Sequence, residues 1–203
     1  MVRSFVLCLV VVVAGCKKPE EKQQHPKHGD KAAPKSIQVG LVTDLGGRGD
    51  QSFNDAALRG LELWASGQKL LNGNYVDAEP RELDASIPAD LKSVVQKLPV
   101  KPLVLQSKAQ EDYQPNLQLL VDKGCDLTVG VGFMLENAVE AAANENPKAH
   151  FLLIDSPVMD ANGSPISLPN VRTMVFREEE GSFLVGALAG MLAKQKLGFV
   201  GGM

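Results

Sequence analysis

The residues best suited to binding chemistry lie in one short run of the chain, around a glycine-rich turn. Asp44, Phe53 and Asn54 stand at the two ends of that turn, and each offers a different contact. A carboxylate accepts hydrogen bonds from N–H groups, a primary amide both donates and accepts, and a phenyl ring offers a face for stacking. A helix beginning here would add free backbone N–H groups. The run is therefore suited to holding a flat ligand with a polar edge.

Three further residues lie where a ligand could reach them. Gly132 and Phe133 directly follow one predicted strand, and Asp155 follows the next. Glycine and aspartate are also common turn residues, and a phenylalanine often packs against its neighbours. We include all three as candidate ligand contacts, with turn formation and packing as the alternative for each.

A purely structural interpretation also exists for the first run. Phe53 falls on the apolar face of the predicted helix and could belong to the core, and Asp44 and Asn54 could simply cap the turn. The neighbouring glycines are assigned to the backbone of the turn and not to ligand contact; they are Gly46, Gly47 and Gly49. Both interpretations of the run stay open at this point.

No catalytic or metal site is predicted. The three histidines are scattered, and the chain has no CxxC or HExxH pattern. No Ser–His or Cys–His pair falls at a strand end, and Cys125 has no evident activating base. The turn faintly resembles a dinucleotide fingerprint, but Ser52 stands where its third glycine belongs. We therefore predict no enzyme and no cofactor, with a nucleotide-cofactor enzyme as an alternative.

The elements that must position these residues alternate between short apolar runs and amphipathic helices. Strands are predicted at residues 37–42, 102–105, 126–131, 151–154 and 171–176. Helices are predicted at residues 53–64, 89–98, 117–121, 135–143 and 177–194. This alternation is typical of an α/β fold, in which a parallel sheet has helices on both faces. Ligands of such sheets bind beyond the carboxyl ends of the strands, where the candidate residues fall.

Several local features complete the prediction. Ser52 and Asp55 have the spacing of a capping box, a weak strand is expected near Tyr75, and residues 156–169 are expected to form a loop. A further strand is expected to begin at Gly198. The final helix is apolar on most sides and this strand has no partner after it, so we expect the sequence to be a fragment whose second lobe is incomplete.

Residues 1–16 have the pattern of a signal peptide. Arg3 is followed by a short apolar run, and Val13-Ala14-Gly15-Cys16 resembles a lipobox, the processing site of bacterial lipoproteins. The resemblance implies that Cys16 becomes the first residue and carries lipid, which would anchor the chain stably because more than one acyl chain is attached. An ordinary secretory peptide with a chance cysteine is the alternative. Residues 17–36 lack aromatic and branched aliphatic side chains and are predicted to form a flexible tether.

The composition excludes several other classes. The chain has 203 residues, is 44% hydrophobic and carries a formal net charge of -3, which suits one to one and a half globular domains. Residues 37–203 hold 14 basic and 21 acidic residues, which argues against binding to a nucleic-acid backbone. No apolar run reaches about 18 residues, so no ordinary membrane span is predicted. Three cysteines also exclude a disulfide framework.

Six stretches, in chain order, resemble the basic membrane lipoprotein family. The run Asp44–Asn54 resembles its D-x-G-G-x-x-D-x-S-F-N signature. Later motifs are matched by residues 112–117, 131–133, 151–155, 176–184 and 198–203. The resemblance covers residues 37–203 without large gaps, and several collinear motifs are far more specific than any one alone.

The resemblance implies a substrate-binding lipoprotein of an ABC importer, with two α/β lobes of the type I periplasmic-binding-protein kind. Residues 37–176 would form the first lobe and residues 177–203 the start of the second. The better understood family members bind purine nucleosides, and the roles of base contacts are carried over to Asp44, Phe53 and Asn54. The expected partners are a nucleoside, permease and ATPase subunits, and the membrane through the lipid anchor, with the protein facing the periplasm or the cell exterior.

A different use of the same cleft also remains open. A surface lipoprotein could act as a sensor or an adhesin, and Arg48-Gly49-Asp50 matches an adhesion tripeptide. That short string recurs by chance, so it carries little weight.

Overall fold

The computed structural model describes residues 35–200. The predicted signal peptide, the lipobox with Cys16 and nearly all of the tether lie outside the described residues. So do the last three residues of the expected final strand, Gly201 to Met203.

The strands of the described residues belong to one large sheet and two small hairpins. In chain order they are β1 (Ile37–Thr43), β2 (Gln68–Leu71), β3 (Asn74–Asp77), β4 (Val100–Gln106), β5 (Leu127–Val131), β6 (Phe151–Ile154), β7 (Val158–Met159), β8 (Pro165–Ile166) and β9 (Val171–Met174). The large sheet has the order β4-β1-β5-β6-β9, and every pair in it is parallel. The predicted α/β fold with a parallel sheet is confirmed.

Five α-helices connect these strands in the described region. They are α1 (Phe53–Leu58), α2 (Pro80–Ser86), α3 (Tyr113–Asp122), α4 (Glu136–Glu145) and α5 (Glu178–Leu192). A π-helical segment, Arg59–Ala65, continues α1, and short 3₁₀ turns precede α3 and α4 at Gln110–Asp112 and Phe133–Leu135.

The core lies on both faces of the sheet. Neighbouring side chains of a strand point to opposite faces, and on β1 Leu41 packs with Leu58 of α1 while Val42 packs with Leu117 and Val139 of α3 and α4. These side chains are at most 2% exposed. Helices therefore cover both faces of the sheet, as predicted.

Packing between α3 and β1 depends on a glycine. A Cβ atom at Gly40 would lie 2.7 Å from Cδ1 of Leu120, a side chain that is fully buried. Such a separation is far inside van der Waals contact, so a larger residue at position 40 would force the buried Leu120 side chain to move. The apolar spacing predicted for α3 and α4 is confirmed by the burial of Leu117, Leu120, Val139 and Ala142.

The helix predicted at residues 89–98 is not formed. The segment makes isolated turns, with the N–H groups of Val94 and Val95 donating to Leu91 O, and Val94 is 67% exposed. A helix is formed earlier instead, at α2, where Pro80 occupies the first turn. The apolar face predicted at 89–98 is covered only in part, since Leu91 and Val95 are half-buried whereas Val94 and Leu98 are exposed.

The helix after the glycine-rich turn buries the predicted face only in part. The predicted face comprises Phe53, Ala56, Ala57, Gly60, Leu61 and Trp64. Of these, Ala57 and Leu61 pack partly buried against the core, whereas the buried residues of the helix are Asn54, Leu58 and Glu62. Two of these three are polar, and the change from α- to π-helix at Arg59 alters the periodicity, so hydrophobic spacing identified only part of the buried face.

The sequence predicted one strand of the first hairpin and neither strand of the second. The weak strand near Tyr75 is β3, and it pairs with β2 through a turn in which Asn72 and Gly73 have φ values of +50° and +79°. Positive φ at both positions is the usual chemistry of an Asn-Gly hairpin. The predicted loop 156–169 contains the short pair β7–β8.

The end of the described chain agrees only in part with the prediction. Helix α5 is confirmed, but none of its residues is buried, and Phe183 is 73% exposed. The predicted strand at Gly198 is wrong as far as Val200, because residues 196–200 form no regular structure. A cavity of about 520 Å³ lies between α5 and residues 197–199 and contains none of the predicted site residues. Across residues 35–200, no helix combines the length and apolar character needed to cross a bilayer.

Candidate functional site at the carboxyl edge of the sheet

The strand order creates a crevice at the carboxyl ends of β1 and β5. β4 lies on one side of β1 and β5 on the other, so the connections diverge at this point. Asp44 follows β1 and Gly132 follows β5, and a Cβ atom at Gly132 would lie 3.0 Å from Asp44 Oδ2. Gly132 has a φ of +100°, which only glycine adopts readily. The sheet thus brings together two predicted site residues that are distant in the chain.

Asp44 is held by one of its two carboxylate oxygens. Oδ1 accepts hydrogen bonds from Asn54 Nδ2 at 2.7 Å and from the backbone N–H of Gly46 at 2.8 Å. Among the described residues no hydrogen bond reaches Oδ2, and the side chain is half-buried. This oxygen, on the side of Gly132, is therefore a fixed acceptor available to a ligand.

Asn54 lies behind Asp44 and is 1% exposed. Its Nδ2 donates to Asp44 Oδ1 and, at 2.9 Å, to Asp50 Oδ2, while its Oδ1 accepts from the Asp44 N–H at 3.3 Å. The amide has two N–H donors, and both are in use. In this arrangement Asn54 holds Asp44 in place, and a ligand could accept a hydrogen bond from its amide only by displacing one of these partners.

The helix cap differs from the predicted one. Ser52 makes no capping hydrogen bond through its side chain, and the Asp55 carboxylate accepts from the N–H groups of Gly49 and Gln51 instead. The cap is provided by Asp50, whose carboxylate accepts from the N–H groups of Ser52, Asn54 and Asp55. Burial of Asp50 favours its neutral form, but these hydrogen bonds outweigh burial and lower the pKa of Asp50. The predicted capping box is wrong because Asp50 reaches the same N–H groups.

We expect Asp50→Ala to destabilise the fold by about 1–2 kcal/mol, the usual loss for a helix cap. A carboxylate with a lowered pKa in the folded state stabilises the fold above its ordinary pKa of about 3.9, and this stabilisation is lost as pH falls through the lowered value. Urea unfolding at pH 7 and at successively lower pH measures both effects. The difference in the free energy of unfolding between wild type and Asp50→Ala should decrease as the pH is lowered. Asp90→Ala, in an exposed turn, should have the same free energy of unfolding as wild type at every pH.

Arg48 ties the turn to the helix that follows it. Its guanidinium makes two hydrogen bonds to the buried Glu62 carboxylate, at 2.9 and 2.7 Å, and Glu62 also accepts from the Tyr75 hydroxyl at 2.5 Å. The hydrogen bond to Glu62 raises the pKa of Arg48, against the effect of burial. Because the Arg48 guanidinium is already bonded to Glu62, the arginine of the Arg48-Gly49-Asp50 tripeptide stabilises the turn, which argues against a role in adhesion.

Three aromatic rings are exposed at the carboxyl edge. Phe53 is 41% exposed, Phe133 is 54% exposed and Phe176, two residues beyond β9, is 45% exposed. The rings of Phe53 and Phe176 are in contact, with centroids 5.6 Å apart and planes inclined at 55°. Phe53 is therefore not a core residue, which favours the ligand interpretation over the structural one.

Asp155 lies at the same edge, after β6, with a φ of +75°. Its backbone N–H donates to Met174 O at 2.7 Å and so extends the pairing of β6 with β9. Burial, and after it the nearby Glu178 carboxylate at the start of α5, raise the pKa of Asp155. The edge thus carries two acceptor carboxyl groups, Asp44 and Asp155, with exposed aromatic rings beside them.

Tyr113 supports the crevice from the side of α3. It is 3% exposed, and burial raises the pKa of its hydroxyl, while a hydrogen bond from the Leu45 backbone opposes that rise and the Asp44 carboxylate adds to it. The hydroxyl thus lies against the start of the turn that carries Asp44.

Sequence reasoning missed Phe176 and Glu178 as members of this edge. Phe176 was assigned to the end of a strand and Glu178 to the first turn of a helix. The available signal was their position at the end of a predicted strand and just beyond it, close to the signal that identified Phe133 and Asp155. Within the described residues no group of three or more His, Cys, Asp or Glu side chains could hold a metal ion.

Comparison with known proteins places this geometry in a family context. Residues 37–203 match the family model described as ABC transporter substrate-binding protein PnrA-like. The chain is 29% identical to a Lactococcus lactis protein named ABC transporter nucleoside-binding protein BmpA, covering 100% of this chain and 47% of that one. It is 32% identical to an uncharacterized lipoprotein of Pyrococcus horikoshii, over 97% of this chain and 40% of the relative.

A solved structure shows the same fold. The crystal structure of a solute-binding protein of an ABC transporter system from Aeropyrum pernix aligns with a TM-score of 0.50 and 27% sequence identity. The alignment covers 75% of this chain and 32% of that chain. The chain therefore spans about half the length, or less, of these three proteins.

Proposed function

The chain belongs to the PnrA-like family of ABC transporter substrate-binding proteins, and on that premise we propose that it supplies one wall of a cleft that captures a nucleoside, with a purine base. The complete protein would then deliver the nucleoside to a membrane permease driven by an ATPase subunit. The observation that carries the proposal is Asp44 Oδ2, which accepts no hydrogen bond from the described residues and lies at the same edge of the sheet as the exposed Phe53 ring.

Asp44 would read the polar edge of the base. Purine bases present N–H groups at that edge, and a carboxylate accepts such bonds more strongly than a neutral oxygen does. The hydrogen bonds from Asn54 and Gly46 to Oδ1 hold the carboxylate in one orientation. Oδ2 would therefore accept from the base without a loss of side-chain freedom on binding.

Phe53 would stack on the face of the base, with Gly132, Phe133 and Asp155 as further contacts around the crevice. The Lactococcus relative is named a nucleoside-binding protein, which supports a nucleoside as the ligand class. Asn54 would contribute by orienting Asp44.

Residues 37–176 would form the first lobe and residues 177–203 the beginning of the second, as the exposure of α5 supports. Binding would favour a closed arrangement of the two lobes because the ligand contacts both. Lipid on Cys16 would hold the protein at the cell membrane, facing the periplasm or the cell exterior.

Isothermal titration tests the ligand class. The mature protein, extended through any continuation of its reading frame, is titrated with inosine, guanosine, adenosine and cytidine. Saturable binding of the purine nucleosides is the expected result. A folded sample that binds none of the four would refute the nucleoside assignment and leave the fold and the family unaffected.

Phe53→Ala is expected to weaken purine nucleoside binding by about tenfold. Stacking of a base on an aromatic side chain contributes about 1–3 kcal/mol, and alanine removes the ring entirely. Phe53→Tyr keeps the ring and should retain most of the affinity. Equal affinities for wild type and Phe53→Ala would remove Phe53 from the site.

A further inference from the structure

The Phe53 ring that would stack on a base is already in contact with another ring. Phe176 contacts it with a centroid separation of 5.6 Å and an inclination of 55°. Both rings stay more than 40% exposed, so the contact is made at the surface and not within the core. Phe176 comes from the segment after β9, three strand positions away from β1 in the sheet.

The geometry leaves no space for a base between the two rings. Carbon atoms in contact lie about 3.5–4 Å apart, so a base between two parallel rings needs roughly 7 Å between their planes. We propose that Phe176 is a placeholder, which occupies the space against the Phe53 ring in the ligand-free protein and is displaced by the base on binding. This inference rests on the proposed function, because it concerns the same site.

The segment that carries Phe176 is weakly tied to the rest of the molecule. The last hydrogen bond between β6 and β9 runs from the Asp155 N–H to Met174 O, and the next one beyond it is the Glu180 N–H to Arg177 O at the start of α5. In the described region the N–H groups of Val175 and Phe176 make no backbone hydrogen bond. Phe176 can therefore leave Phe53 without breaking the sheet or the helix.

The magnitudes allow a base to compete with Phe176. A contact between two aromatic rings contributes about twofold to tenfold to an equilibrium constant beyond the area it buries. Stacking of a base on such a ring contributes about fivefold to a hundredfold, with the buried area included. A nucleoside that also bonds to Asp44 would therefore replace Phe176, and its displacement would move the segment that connects β9 to α5.

The first test is the affinity of Phe176→Ala for inosine, measured by titration of the same mature protein. Removal of a competing ring should tighten binding by about twofold to tenfold. Val94→Ala is the control, since Val94 is 67% exposed within the proposed first lobe and should leave the affinity unchanged. Unchanged or weaker binding by Phe176→Ala overturns the proposal. Weaker binding would indicate instead that Phe176 contacts the bound nucleoside.

The second test observes the ring contact itself. In the protein with labelled phenylalanines, nuclear Overhauser effects between the rings of Phe53 and Phe176 should be present without ligand and lost at saturation with inosine. Their absence before ligand, or their persistence at saturation, overturns the placeholder while nucleoside binding stands. A folded wild type that binds no nucleoside refutes the proposed function itself, so the two failures are distinguishable.

Discussion

Replacing Asp44 by asparagine is expected to weaken purine nucleoside binding by about tenfold to a hundredfold. A hydrogen bond to a charged group contributes about 1.5–3 kcal/mol, and the substitution removes the charge while keeping the size of the side chain. The amide would also turn one oxygen into a donor, which opposes the N–H groups of the base. Isothermal titration with inosine measures the loss.

The opposite edge of the sheet offers a matched control for Asp44. Asp126 precedes β5 and accepts a hydrogen bond from the Gln38 N–H at 2.8 Å. Asp126→Asn makes the same chemical change away from the crevice and should leave the affinity unchanged. Wild-type affinity in Asp44→Asn would refute the assignment of Oδ2 as a ligand acceptor, and urea unfolding of the variant verifies that its fold is intact.

Replacing Cys16 by serine is expected to abolish attachment of the protein to the membrane. The predicted lipid is attached through the cysteine sulfur, and serine has no sulfur to carry it. Without the acyl chains the remaining chain has no apolar run long enough to span a bilayer, and residues 37–203 are acidic overall. Fractionation of bacteria that express the variant should place it in the soluble fraction, without labelled fatty acid.

A second cysteine in the same leader controls for effects on export. Cys8 lies within the apolar run and would be removed with the signal peptide. Cys8→Ser should therefore leave both membrane attachment and fatty-acid labelling at the wild-type level. Labelling of Cys16→Ser at the wild-type level would refute the lipobox.

The fold was predictable where a short stretch of sequence contains the whole signal. The strands β1, β4, β5 and β6 are near-continuous apolar runs because both of their faces are covered, and the spacing of Leu135 and Val139 identifies the buried side of α4. The prediction failed at residues 89–98, where the apolar face is covered only at Leu91 and Val95. It failed in part on the face of α1, where burial also follows the polar partners of Asn54 and Glu62.

The residues of the candidate site were predictable from local sequence, but their arrangement in space was not. Asp44, Phe53 and Asn54 were identified from the turn that contains them, since their residue types and spacing are local properties. The arrangement of these residues relative to distant parts of the chain could not be identified from the turn. The order of strands decides that Gly132 lies against Asp44 Oδ2, and the path of the chain after β9 decides that Phe176 lies against Phe53.

By itself, the amino-acid sequence determined the alternation of strands and helices, the family motifs and the edge of the sheet at which a ligand would bind. Only the tertiary structure decided which oxygen of Asp44 accepts no hydrogen bond from the described residues. It also decided that both N–H donors of Asn54 bond to carboxylates, and that Asp50 caps α1 in place of Ser52. The physical reason is the range of the interactions. Periodicity and turn chemistry act over a few residues, whereas hydrogen-bond partners and ring contacts depend on which distant segments the sheet brings together.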